Sequence, residues 1–195
     1  MKNNKNANRK EHSKNNKKLS SIDLLEKRII YIDGSIDDEL AKDVINKLLK
    51  LDLTNHKDIK MLINSDGGSV SSGLAIYDVM NAIKSDVSTV CVGRCASMAG
   101  ILFINGAKGK RKILPNAEIM VHEVSSVSFG KVTEMQDKLT HSKTVNRRLL
   151  KIIVHKTNMT MHELMKETNR KDKWYNAHQA VKYGFADEIL WSFIY

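Results

Sequence analysis

Residues 87–104 read VSTVCVGRCASMAGILFI. Val87 to Val92 is an apolar, β-prone run, Gly93 to Gly100 is a turn of small residues, and Ile101 to Ile104 resumes the apolar pattern as a helix. This is a joint between a strand and a helix N-terminus, with Ser97 inside it. The first N–H groups of a helix lack internal partners, and the helix dipole favours negative charge there. A hydroxyl at such a joint serves either as an ordinary N-cap or as a nucleophile with an oxyanion supply close by. Small neighbours at Ala96, Ala99 and Gly100 leave the space that a substrate carbonyl requires.

The same alternation extends in both directions. Arg28 to Ile32 reads as a strand, then Ser35 caps a helix with Leu40, Val44, Leu48 and Leu51 at helical spacing. Ile59 to Asn64 is a second strand and Asp66-Gly67-Gly68 a tight turn, followed by a helix carrying Leu74, Tyr77, Met80 and Ile83. Beyond the central joint, Lys112 to Ile113 and Glu118 to His122 are two short strands around Pro115. A polar stretch through Gly130 then leads to a long helix with Met135, Leu139, Val145, Leu149 and Ile153 available for core or subunit contacts. Thr160 with Glu163, and Asn176 with Gln179, read as capping boxes, and Gly184 ends the second of these helices. Repeated strand-helix-strand order implies an α/β fold with right-handed crossovers.

Composition sets bounds on function. The chain has 195 residues, 42% of them hydrophobic, which is enough for one domain with a full core. Residues 1–20 hold seven Lys or Arg against one Glu, so they carry +6 of the chain's net charge of +10. With six Asn and almost nothing apolar, they read as a disordered basic tail or a propeptide, leaving residues 21–195 as the folded domain. No segment has the apolar core of a signal peptide or the length of a membrane span, so the expected location is the cytoplasm. Cys91 and Cys95 read as reduced core thiols. His162-Glu163 begins like a zinc-protease helix, but Lys166 stands where the second ligand belongs, and no phosphate-binding lysine loop occurs. The residues imply neither a metal nor any other cofactor.

A nucleophilic Ser97 needs a base, and the histidines sort by context. His12 lies in the tail, His56 in a loop, and His141, His155, His162 and His178 among polar helical neighbours. His122 ends the apolar strand Ile119-Met120-Val121, and parallel strands present their C-terminal ends to one ligand-binding edge. It is the candidate base. The carboxylate that would orient it is left open among Glu123, Asp172 (in a polar loop between two helices) and Asp187.

Taken together, these segments resemble the ClpP family, the proteolytic subunits of Clp proteases. The resemblance covers about residues 24–190 and runs through Arg28-Ile29-Ile30-Tyr31, Ile63-Asn64-Ser65-Asp66-Gly67-Gly68, Ala96-Ser97-Met98, Gly106-Ala107-Lys108-Gly109-Lys110-Arg111, Leu114-Pro115-Asn116, Met120-Val121-His122 and Ala180-Val181-Lys182-Tyr183-Gly184. It implies a crotonase-like spiral of βαβ units with a protruding handle helix, in which Val124 to Lys131 and the following long helix join two rings. It implies a serine endopeptidase with Ser97 as nucleophile, His122 as base, Asp172 as orienting carboxylate, and the backbone N–H groups of Gly68 and Met98 as oxyanion hole. It also implies seven-membered rings stacked as a tetradecamer around a closed chamber, unfolded polypeptides as substrates, and an AAA+ ATPase as feeding partner.

The chain departs from the family pattern at several positions. Asp66 replaces a proline before the glycines, Glu123-Val124 replaces Gln-Pro after the histidine, and Lys171 replaces the arginine before the aspartate. Only Asp23 to Lys27 stands where the family has a pore-lining hairpin, and Lys60 and Lys112 replace aromatic residues of the ATPase docking pocket. Weak or absent docking of a typical ATPase on a ring of this chain alone is therefore expected. A mixed ring with a better-docking paralogue fits an active subunit. The alternative is a structural ring subunit with little activity, while an acyl-CoA enzyme shares only the fold and the oxyanion geometry.

Overall fold

The structure is a computed structural model that describes residues 24–125 and 129–193. The basic segment 1–20 lies outside the described residues. Seven strands form one sheet whose main path runs β1-β2-β3-β4-β7, all parallel. These are β1 (Ile29–Ile36), β2 (Ile59–Gly68), β3 (Val87–Ala96), β4 (Arg111–Ile113) and β7 (Glu188–Ile189). The first two crossovers are helices α1 (Asp38–Thr54) and α2 (Val70–Ala82); α3 (Met98–Ile104) leads from β3 toward β4.

Each crossover helix buries one stripe. In α1 this is Ala41, Val44, Leu48 and Leu51, which share a core with Ile30, Ile32, Met61 and Ile63 of the adjacent strands. Helix α3 is buried along its whole length, which explains why its residues 98–104 carry no charge. Asp37, not Ser35, caps α1: its side chain accepts from the Leu40 N–H at 2.8 Å, because β1 continues to Ile36, opposite Gly68. Asp66-Gly67-Gly68 is likewise the end of β2, and Ser69 caps α2. Both capping boxes expected from the sequence are present, at Thr160–Glu163 and Asn176–Gln179.

The sheet divides at β3. Its first half pairs with β4 at Thr89, Val90 and Cys91, and its last residues, Arg94 to Ala96, pair in parallel with β5 (Glu118–Val121). On the other side of β5 lies β6 (Lys173–Asn176), antiparallel. The loop expected between two helices at Asn169 to Lys173 therefore runs from a helix into a strand. Between β5 and β6 the chain passes through α4 (Val132–Lys156) and α5 (Met161–Thr168), and α6 (Ala177–Lys182) follows β6. The C-terminal turns of α4 bury Leu149, Leu150 and Ile153, whereas Val132, Met135 and Leu139 toward its N-terminus are exposed. That helix projects its first half away from the core. Both cysteines are free and buried within β3.

Candidate active site

Ser97 occupies the single residue between β3 and α3, with φ 54° and ψ −122°. A non-glycine residue with such a φ is strained by about 1–3 kcal/mol and persists only where the surroundings hold it. Two features hold it here. Its N–H donates to the Met120 carbonyl at 2.9 Å, and Gly67 presses on the turn so closely that a Cβ there would lie 2.7 Å from the Ala96 carbonyl oxygen and 2.8 Å from the Ser97 Cβ. No residue with a side chain fits at position 67. The Ser97 side chain makes no capping bond to α3. Its Oγ lies instead 2.8 Å from His122 Nε2, so the ordinary N-cap reading of this serine is ruled out by its geometry.

Two strand registers bring the partners in. The parallel pairing Arg94↔Glu118, Cys95↔Ile119 and Ala96↔Met120 advances both chains together, so the residues just past β5 emerge beside the residues just past β3. This is where His122 meets Ser97. The antiparallel pairing Met120↔Trp174 and Val121↔Lys173 then sets residue 172 opposite residue 122 in the next step of the ladder. Asp172 Oδ1 lies 3.4 Å from His122 Nδ1. This is longer than an ordinary hydrogen bond, and the Asp172 side chain is 60% exposed.

Of the three carboxylates left open by the sequence, Asp187 is committed elsewhere. It receives the Arg111 side chain at 2.6 Å and the Arg111 backbone N–H at 2.9 Å. The β5–β6 register brings Asp172 to the ring nitrogen of His122 that faces away from Ser97.

Gly68, Ser97, Met98 and His122 line one cavity, whose remaining wall is mostly apolar: Val70, Ile101, Leu149, Leu150 and Ile153. Gly68 ends β2 against Ile36, where any Cβ would collide with the Ile36 carbonyl, so only glycine lets the two strands meet at this edge. One contributor escaped the sequence reading. Asn146 of α4 also lines the cavity and accepts the Val124 N–H through Oδ1 at 3.1 Å, tying the segment after His122 to the long helix. The available signal was a polar residue on the helical stripe that continues through Leu149, Leu150 and Ile153.

Lys60 and Lys112 lie apart from this cavity, on another surface depression that they share with Ser88, Val90, Lys110 and Leu190. Lys112 Nζ is 2.5 Å from Glu188, and Lys110 reaches both Asp58 at 2.6 Å and Asp86 at 2.9 Å, hydrogen bonds that raise the Lys110 pKa. Three ammonium groups thus rim a hollow whose lining also includes Val90, Leu190 and Phe193. Among the described residues, no helix is long and apolar enough to cross a membrane.

Comparison with known proteins gives a consistent picture. The family model described as Clp protease matches residues 11–192. An ATP-dependent Clp protease proteolytic subunit from Carsonella ruddii (strain PV) is 40% identical over 168 residues, covering 86% of this chain and 86% of that protein.

Proposed function

The chain belongs to the Clp protease family, and on that premise we propose that it is a serine endopeptidase subunit that cleaves unfolded polypeptides through an acyl-enzyme. The observation that carries the proposal is the 2.8 Å contact between Ser97 Oγ and His122 Nε2, made by a serine whose backbone is strained and whose hydroxyl is not used for capping. Ser97 Oγ attacks the scissile carbonyl and its proton passes to His122 Nε2. Asp172 favours the Nδ1–H tautomer and stabilises the imidazolium that results. The carbonyl oxygen, now carrying negative charge, faces the backbone N–H groups of Gly68 and Met98. His122 gives the proton to the departing amine, leaving an ester on Ser97. Water then attacks the ester with His122 as base, releasing the acid and restoring the serine. The apolar cavity wall favours an apolar side chain next to the scissile bond.

The subunit works as a heptameric ring, stacked in pairs through the projecting half of α4, in the cytoplasm. Exposed Val132, Met135 and Leu139 supply apolar surface for that contact. The test of the peptidase assignment is labelling with a fluorophosphonate probe followed by peptide mapping. The label is expected on Ser97, and wild-type protein that stays unlabelled while correctly assembled would refute the assignment.

Docking of a typical AAA+ partner on a ring of this chain alone is expected to be weak, because ammonium groups at Lys60 and Lys112 rim the hollow that would receive an apolar loop. Degradation of a folded, tagged substrate with such an ATPase and ATP checks this. Turnover near the no-ATPase background is expected, and restoring aromatic residues at both positions should raise it; vigorous turnover by the unaltered ring contradicts it.

A further inference from the structure

Ser65 breaks the pattern of its strand. In β2 the residues Ile59, Met61 and Ile63 face the core in strict alternation, and Ser65 continues that face with only 3% exposure. Period and burial call for an aliphatic residue, yet a hydroxyl is placed there. Its surroundings explain it. The β1–β2 ladder is interrupted between Asp33 and Ser35, where the partner jumps from Asn64 to Gly67, and the β2–β3 ladder is interrupted between Ile63 and Ser65. Ser65 therefore pairs with Cys95 of β3 beside a register shift and has no register partner in β1. In its place, Ser65 Oγ donates to the Gly34 carbonyl at 2.5 Å and accepts the Gly67 N–H at 3.0 Å.

The consequence falls on the reaction site. Gly67 is the residue that packs against the Ser97 turn; a Cβ at this position would lie 2.9 Å from the Met98 nitrogen. Gly68, one residue on, carries the other N–H of the proposed oxyanion hole. The spacing between the two donors thus depends on where Gly67 is held; the β1 ladder resumes there at Ser35 and Ile36, and the Ser65 hydroxyl adds a buried side-chain tie to the Gly67 N–H. The neighbouring Asp66–Arg94 pair, at 2.9 Å, is more than half exposed on both sides and is too weak to do the same.

We propose that Ser65 is a positioning residue for the oxyanion hole: its hydroxyl replaces the missing ladder bonds between β1 and β2 and fixes Gly67–Gly68 at the distance from Met98 that the tetrahedral intermediate requires. It touches no reacting atom, and the proposal rests on the peptidase reading above.

The test is peptide hydrolysis by the full-length assembled protein, with kcat expressed per Ser97 titrated by the fluorophosphonate probe. Ser65→Ala is expected to lower kcat per titrated site about tenfold or more, with KM changed less than about twofold, since the loss falls on transition-state stabilisation. Ser65→Thr keeps the hydroxyl and is expected to retain most of the rate. Thr89→Val serves as the control: it removes another buried hydroxyl, bonded to the Phe103 carbonyl at 2.7 Å and distant from the cavity lining, and should leave kcat per site unchanged. If Ser65→Ala does not assemble, Ser65→Cys is read in its place with the same tenfold expectation. A per-site kcat for the Ala (or Cys) variant within twofold of wild type overturns the proposal, as does an equal loss in Thr89→Val. An unlabelled, inactive wild type would instead sink the peptidase reading, which separates the two failures.

Discussion

Ser97→Ala is expected to lose peptide hydrolysis by at least about 10³-fold, equivalent to about 4 kcal/mol of transition-state stabilisation, while still assembling. The residue lies between β3 and α3 with its hydroxyl directed at His122 rather than at the helix end. Removing Oγ therefore costs no capping bond and leaves the fold intact. His122→Ala should lose activity to a similar extent. The double variant should be little worse than either single one, because a nucleophile and its base act as a unit. Steady-state kinetics on a fluorogenic peptide with an apolar residue before the scissile bond provides the measurement. Losses that multiply in the double variant, or more than a tenth of the activity surviving in Ser97→Ala, would exclude the assigned chemistry. The strained backbone adds a second readout: Ser97→Gly should raise unfolding stability by about 1 kcal/mol, since glycine adopts this φ freely.

The second large effect concerns stability. Arg111, only 6% exposed, sends Nε and Nη2 to the Asp187 carboxylate at 3.1 and 2.6 Å and Nη1 to the Lys156 carbonyl at 2.6 Å. These bonds tie β4 to the turn before β7 and to the end of α4. Partial burial acts to raise the Asp187 pKa, but the hydrogen bonds and charge of Arg111 outweigh it and hold the group below its ordinary value. Burial, with the Arg111 charge adding to it, lowers the Lys156 pKa. Asp187→Asn leaves a buried guanidinium without its counter-charge and should cost about 3 kcal/mol or more. Denaturant midpoints of the two proteins at neutral pH check this, and a change below 1 kcal/mol would contradict it. The sign with pH follows from the lowered value. The wild-type contribution is complete above the unfolded carboxylate pKa of about 3.9 and is lost as pH falls through the lower folded value, whereas Asp187→Asn should lack that component of the acid transition.

Much of the fold was legible because its signals are local. The apolar stripe of α1, the capping boxes at Thr160 and Asn176 and the small-residue joint around Ser97 each depend on residues a few positions apart. Boundaries were less legible. Ser35 read as a cap because the sequence does not show that β1 runs on to Ile36, a fact decided by pairing with Gly68. The strand β6 went unseen, since Lys173-Trp174-Tyr175-Asn176 is short and flanked by charges, and only Tyr175 of the four is buried. Ser65 passed unremarked as a site residue for a related reason: serine on a strand is unexceptional until the register shifts beside it and its missing partner in β1 are seen.

By itself the sequence determined the α/β class, the serine at the strand-to-helix joint, and the histidine at the end of an apolar strand, because hydrophobic period and turn chemistry are written in neighbouring residues. Which carboxylate stands beside that histidine was left open by local spacing and implied only by the family resemblance; how it gets there is a matter of tertiary structure. Asp172 follows His122 by fifty positions and reaches it through the antiparallel register of β5 and β6, a pairing that exists only once α4 and α5 have folded between them. The backbone strain at Ser97 is of the same kind, since it comes from Met120 and Gly67 closing on the turn from separate strands.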